Sequence, residues 1–217
     1  MKQDLYINRP LDFNKLDHRE FEEVVYYYFK DQIDKGLYAG IYDNVELSSG
    51  VGERGADAML FLKYVIKGVV QCKRHKTNIG VELALSEIIK FLLYHILETQ
   101  KTNKNHSSLI NEIQDFTYYL VVSKDFTQKT KSVLASFNTS WKEQKISKVY
   151  NAIITMKSFV ELDKTTAYSQ LETLLDSLKV VMITAVDLDP IVRVNSYLKN
   201  RYFSLSNLVD AEQSKRF

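Results

Sequence analysis

The alternation of apolar and polar positions is most telling between Gly50 and Lys76. Glycines at 50, 52 and 55 lead into an apolar run, Ala58 to Leu62, and a turn around Tyr64 to Gly68 leads back through Val69-Val70-Gln71-Cys72-Lys73. Each run is too short for a helix and the return is rich in valine, so the pattern predicts an antiparallel hairpin. With the turn centred near Val65, Asp57 is expected opposite Lys73. Side chains alternate along a strand, so Gln71 and Lys73 share one face while Val70 and Cys72 take the other.

Helical spacing dominates elsewhere. Asp17, with Glu20 three residues on, forms a capping-box pattern ahead of Phe21, Val24, Val25, Tyr28 and Phe29, which predicts an amphipathic helix. Glycines 36 and 40 end it, and Ile41 to Leu47 reads as a strand leading to the hairpin. From Ile79 to Thr99, apolar residues recur at threes and fours (Val81, Ala84, Leu85, Ile88, Ile89, Leu92, Leu93, Ile96), giving the clearest helix of the chain. It returns the chain for a parallel strand, Tyr118 to Val122, and so completes a βαβ unit. The polar stretch Gln100 to Ser108 between them is expected to be a loop. Lys124 to Phe137 reads as a helix, Trp141 to Lys148 as a linker, Tyr150 to Met156 as a further strand and Thr165 to Val181 as a helix. Asp187-Leu188-Asp189-Pro190 marks a last helix start, with proline in the first turn.

Composition narrows the class without choosing a function. The chain has 217 residues, 45% hydrophobic and 26% charged, as in ordinary globular proteins. A net charge of +2 means that contact with nucleic acid rests on a local patch. Cys72 is the only cysteine, which excludes an internal disulfide and a cysteine-based zinc cluster and fits a reducing cytosol. The start MKQDLYINRP lacks an apolar signal core and no run reaches the length of a membrane span, so a cytoplasmic protein with no membrane partner is expected.

The hairpin also carries chemistry. An acid, an amide and a lysine that converge suit metal-assisted phosphodiester cleavage. A hard cation takes oxygen ligands from Asp57, a side-chain amide or a backbone carbonyl, while an ammonium offsets developing negative charge. The same groups would also make an ordinary cross-strand ion pair. Arg74 and Lys76 follow the strand, and Arg54 precedes Asp57; these are candidate phosphate contacts. Lys124, Lys129 and Lys131 near the carboxyl end of the next strand suggest the basic wall of a groove. His75, alone at a strand end, is taken as neither ligand nor base.

Gly55-Ala56-Asp57 followed by Val70-Gln71-Cys72-Lys73 resembles the D and QxK elements of the PD-(D/E)xK nucleases, in particular the Mrr-like restriction endonuclease branch. Glu20-Phe21-Glu22 resembles the Phe-Glu of that family's first helix, and Tyr119 to Ser123 with Asp125-Phe126-Thr127 its next strand and turn. The likeness covers roughly residues 17 to 137; the turn Gly52-Glu53-Arg54-Gly55 departs from the family's acidic-glycine pattern.

The resemblance implies an α/β fold with a restriction-endonuclease-like mixed central sheet flanked by helices and a helical C-terminal extension. The corresponding division is a lead-in (1–16), a nuclease domain (17–160) and an extension or linker (161–217). It implies a Mg²⁺-dependent DNA endonuclease, with Mn²⁺ able to substitute. The catalytic residues are then Asp57, Gln71 and Lys73, and the metal-facing ones Glu22, Asp57, Gln71 and the Cys72 carbonyl. Similar domains stand at the amino terminus of large antiviral ATPases. The chain has no phosphate-binding glycine loop of its own, so it is expected to be part of a larger ATPase-containing chain and a homo-oligomer when active. Two other readings stay open: a catalytically silent nucleic-acid-binding or oligomerisation module on the same fold, and a helical interaction domain.

Overall fold

Asp17 caps the first long helix, α1 (His18–Asp34), as its sequence predicts: its carboxylate accepts the Glu20 N–H while the Glu20 carboxylate accepts the Asp17 N–H, both at 2.8 Å. The computed structural model describes residues 10–48, 54–101, 110 and 113–203. Five strands form one mixed sheet in sequential order: β1 (Asn44–Leu47), β2 (Ala58–Leu62), β3 (Val65–Lys73), β4 (Thr117–Val122) and β5 (Lys179–Ile183). The first three are antiparallel, and β3, β4 and β5 run parallel. Helix α2 (Val81–Lys101) carries the chain from β3 to β4, so the expected βαβ unit is present and the protein is an α/β fold.

Both faces of the sheet are covered, which is why every residue of β4 is buried. Among the described residues, four further helices of eight residues or more complete the layers: α3 (Gln128–Ala135), α4 (Ile146–Ile153), α5 (Lys164–Ser177) and α6 (Ala185–Val194). On one face Val69, Tyr118, Leu120 and Val122 pack with residues of α2, α4 and α5. On the other, Ala58, Leu60, Val70, Tyr119 and Val121 pack with α1, α6, Phe13 and Leu16. Gly68 lets these layers close up: a Cβ there would stand 2.8 Å from the Thr117 carbonyl and 3.0 Å from the Tyr42 hydroxyl, so any side chain would push strand from strand.

Several elements differ from the sequence expectation. Tyr150 to Met156 does not form a strand. Ile146, Val149, Tyr150 and Ile153 are buried together as the inner stripe of α4, whose first turn lies in the stretch expected to be a linker. The helix expected over Thr165 to Val181 stops at Ser177, and the β-branched run after it becomes β5 beside β4. The last long helix begins at Ala185, not at the Asp-Pro pair: the Asp187 carboxylate accepts the Thr184 N–H and hydroxyl, and Pro190 falls inside the helix. The helix expected from Lys124 starts later, at Gln128, where the Thr127 hydroxyl caps it.

The stretch expected as a helical extension is therefore built into the layers. It supplies β5 to the sheet and α6 to the α1 face, and the Asp189 carboxylate accepts the Leu11 N–H at 2.6 Å. Among the described residues no helix is long and apolar enough to cross a membrane.

Candidate functional site

The hairpin turns on Lys63 and Tyr64, both at positive φ (50° and 67°), a geometry that matches the twist of paired strands. Between Leu60 and Phe61 the register slips, because Leu60 faces Gly68 whereas Phe61 faces Ile66; Lys67 is the extra residue. Beyond the bulge Ala58 pairs with Val70, and the Asp57 N–H donates to the Val70 carbonyl at 2.8 Å. Asp57 thus stands beside Gln71, and the expected pairing with Lys73 is corrected by two residues. A shift of two preserves the face. Val69 lies on the α2 side and Val70 on the α1 side, so Gln71 and Lys73 share the α2 side as anticipated, with Cys72 on the other.

Asp57 and Gln71 are each only 4% exposed. Oδ2 of Asp57 accepts the Cys72 N–H at 2.6 Å and the Gln71 Nε2 at 2.6 Å, two bonds that fix the carboxylate. Gln71 Nε2 also donates to the Cys72 carbonyl at 3.2 Å. The amide nitrogen stands between two oxygens. A half-turn of the near-symmetrical amide replaces that nitrogen with its oxygen. Asp57, Gln71 and the Cys72 carbonyl then present three oxygens to one another, the donor chemistry of a hard divalent cation. These residues fit such an ion through one carboxylate, one amide and one carbonyl; among the described residues no group of three His, Cys, Asp or Glu side chains is placed to hold a metal. Gly55, at φ +76°, seats the loop against this network: a Cβ there would lie 3.3 Å from Phe91 Cβ and 3.4 Å from Gln71 Oε1.

Two residues that sequence reasoning passed over complete the site. Glu87, on α2, is buried, and its Oε2 meets Lys73 Nζ at 3.0 Å and Lys90 Nζ at 2.7 Å. The signal for it was available: Ala84, Glu87 and Phe91 lie at threes and fours on one stripe, and an acid on a buried stripe needs a partner. Tyr118, fully buried on the same face with its ring 5.2 Å from that of Phe91, has a hydroxyl without a hydrogen-bond partner among the described residues. Its phenol is pushed well above the ordinary range by burial first, then by the charges of Glu87 and Asp57 and by Cys72, so its hydroxyl lies within the field of the site.

The remaining predicted residues lie around this core. Glu22 is on α1, in an ion pair with Arg19 at 3.1 Å. Arg19 also donates to the Ser48 carbonyl, and the Ser48 N–H donates to the Asp57 carbonyl, so Glu22 is at the Asp57 end of the sheet. Arg54 is ion-paired to Glu98 of α2. Arg74 turns inward: its Nη1 donates to the Asn14 carbonyl at 3.1 Å, and its buried Nε has no partner among the described residues. Lys76 is exposed, and its carbonyl accepts Lys124 Nζ at 3.0 Å. Of the basic wall, Lys131 pairs with Asp125 at 2.8 Å and Lys129 is exposed. Glu53, most of the 100–108 loop and the 204–217 tail lie outside the described residues.

Compared with known proteins, the chain matches no family model, no curated protein and no solved structure.

Proposed function

We propose that this chain is a metal-dependent DNA endonuclease that hydrolyses phosphodiester bonds, the effector nuclease of a prokaryotic antiviral defence protein. The observation that carries the reading is the convergence of the Asp57 carboxylate, the Gln71 amide and the Cys72 carbonyl within hydrogen-bond reach, with Lys73 on the same face of β3. The defence role rests on the resemblance of the Asp57 and Gln71-Cys72-Lys73 elements to Mrr-like nucleases. The same resemblance motivates the homo-oligomer and the larger ATPase-containing chain, and the cytoplasmic setting rests on the single cysteine, Cys72.

Asp57, Gln71 and the Cys72 carbonyl would hold Mg²⁺ or Mn²⁺. Such an ion, when bound, lowers the pKa of water and neutralises phosphate charge. In the reaction a water oxygen bonds to phosphorus, the bond to the 3′ oxygen breaks, and the water proton passes to that leaving oxygen. Lys73 orients the water and offsets the charge that builds on the phosphoryl oxygens. Glu87 holds the Lys73 ammonium in place through their ion pair.

A second reading has its own observation. Gln71 donates to Asp57 and Lys73 is paired to Glu87, so the polar groups satisfy one another, as in a silent nucleic-acid-binding module.

Cleavage of supercoiled plasmid separates the two. The enzyme reading expects nicking with Mg²⁺ that stops with chelator. It also expects Lys73→Ala to lose on the order of a hundredfold or more in single-turnover rate while retaining most DNA affinity. Full activity in Lys73→Ala would remove the nuclease reading. Wild-type protein that binds DNA but leaves it intact with Mg²⁺ and Mn²⁺ would select the silent module.

A further inference from the structure

Glu87 Oε2 is shared by two ammoniums, one from the strand and one from the helix. The carboxylate is nearly closed off, with its side chain 10% exposed, whereas Lys73 and Lys90 are 29% and 26% exposed. A buried carboxylate needs one counter-charge, and Lys73 provides it. Lys90 is a second cation on the same oxygen, beyond the one counter-charge that the acid needs. The two ammoniums are no farther apart than the two ion-pair distances laid end to end, and both open to solvent at the α2 edge of the Asp57–Gln71 network. Two adjacent open cations over one buried acid suit a ligand that brings anionic oxygens at short intervals, which is the chemistry of a nucleic-acid backbone.

We propose that Lys90 is a substrate-positioning residue, whose ammonium holds a DNA backbone phosphate beside the one engaged at Lys73. The inference rests on the reading of the site as one that takes a phosphodiester. It adds a contact from α2, outside the hairpin and outside the basic run Arg74 to Lys76. The geometry gives Lys90 a share in binding and not in the bond-breaking step, since Lys73 is the ammonium that shares the β3 face with Gln71.

The test compares wild type, Lys90→Met, which keeps the stem and removes the charge, and Lys90→Arg, which keeps the charge. Affinity for a labelled DNA duplex is measured by fluorescence anisotropy in chelator from 50 to 200 mM salt, and single-turnover cleavage at saturating DNA in Mg²⁺. Loss of one phosphate contact lowers the slope of log affinity against log salt by about 0.9, so the gap between wild type and Lys90→Met should narrow roughly 3.5-fold across that range. Lys90→Arg should restore the slope, and the saturated cleavage rate should stay within about twofold of wild type in both.

An unchanged salt slope in Lys90→Met overturns the proposal while leaving the nuclease reading intact. A fall in saturated rate with unchanged affinity also overturns it, because Lys90 would then act through Glu87 on the reaction itself. Wild-type protein that binds DNA without cutting, with the slope change still present, removes the nuclease reading and keeps the Lys90 contact. If Lys90→Met does not fold, Lys90→Gln answers the same question.

Discussion

Replacing the Gln71 amide with a carboxylate tests the site most directly, because one substitution reads both its geometry and the proposed affinity for cations. Gln71 Nε2 now donates to Asp57 Oδ2 at 2.6 Å and to the Cys72 carbonyl at 3.2 Å, in surroundings closed to water. Gln71→Glu puts an oxygen where that donor was. Even if the two carboxylates relax to about 4 Å, their repulsion at an effective dielectric constant near 20 costs about 4 kcal/mol, and the lost hydrogen bond costs about 1 more. In a domain of this size that corresponds to a fall in Tm of about 10 °C or more.

The sign with pH is opposite to the usual carboxylate case. Repulsion raises the folded-state pKa of the pair above its unfolded value, so the variant regains stability as pH falls and a shared proton bridges the two groups. A divalent ion should do the same at neutral pH: at a hundred times its Kd it contributes about 2.7 kcal/mol. Thermal melts of wild type and variant in chelator, Mg²⁺ and Mn²⁺ at pH 7.5, with a chelator series toward pH 5, provide the check. A variant as stable as wild type in chelator would refute the adjacency of Asp57 and Gln71. A deficit indifferent to both metals would refute the assignment of these three oxygens to a cation.

Two further outcomes follow from the same surroundings. Gly55→Ala forces a Cβ into the left-handed region at φ +76° and against Phe91 and Gln71, so it should cost about 1–2 kcal/mol in urea denaturation, and an unchanged midpoint would count against that seat. Burial holds His95 down at about 4 against an ordinary value of 6.5, so the unfolded chain takes up the proton first; stability should be fully present above pH 6.5 and fall as pH drops toward 4. His95→Gln should flatten that slope in melts across the window, and an equally steep loss would assign the acid sensitivity elsewhere.

What the sequence disclosed follows from which forces act locally. Helices α1 and α2 were legible because their apolar stripes and the Asp17–Glu20 cap are written within a few residues of one another. The hairpin was legible as a hairpin, and the face shared by Asp57, Gln71 and Lys73 was correct because it depends only on parity. Its register was not. Lys63-Tyr64 is not a glycine-rich turn, and the bulge at Lys67 leaves no trace in an alternation pattern. Strand β5 was hidden because Leu178 continues the helical spacing of α5, so only the availability of the β4 edge decides where the helix ends. Glu87 escaped attention because its significance lies in a contact to Lys73 that the folded α2 creates.

The closing of the α1 face by α6 sets an order of events during synthesis. Strands pair with their sequence neighbours, so the sheet from β1 to β4 can assemble as the chain emerges. The inner stripe of α1, Phe21, Val24, Val25 and Phe29, lacks the cover of Leu188 and Val192 until α6 has been made. At ordinary elongation rates that leaves an apolar helix face partly open for roughly ten to thirty seconds. The nascent chain should therefore be a client for hydrophobic-binding chaperones through α1, and a fragment ending near residue 160 would keep the proposed catalytic residues but be prone to aggregate.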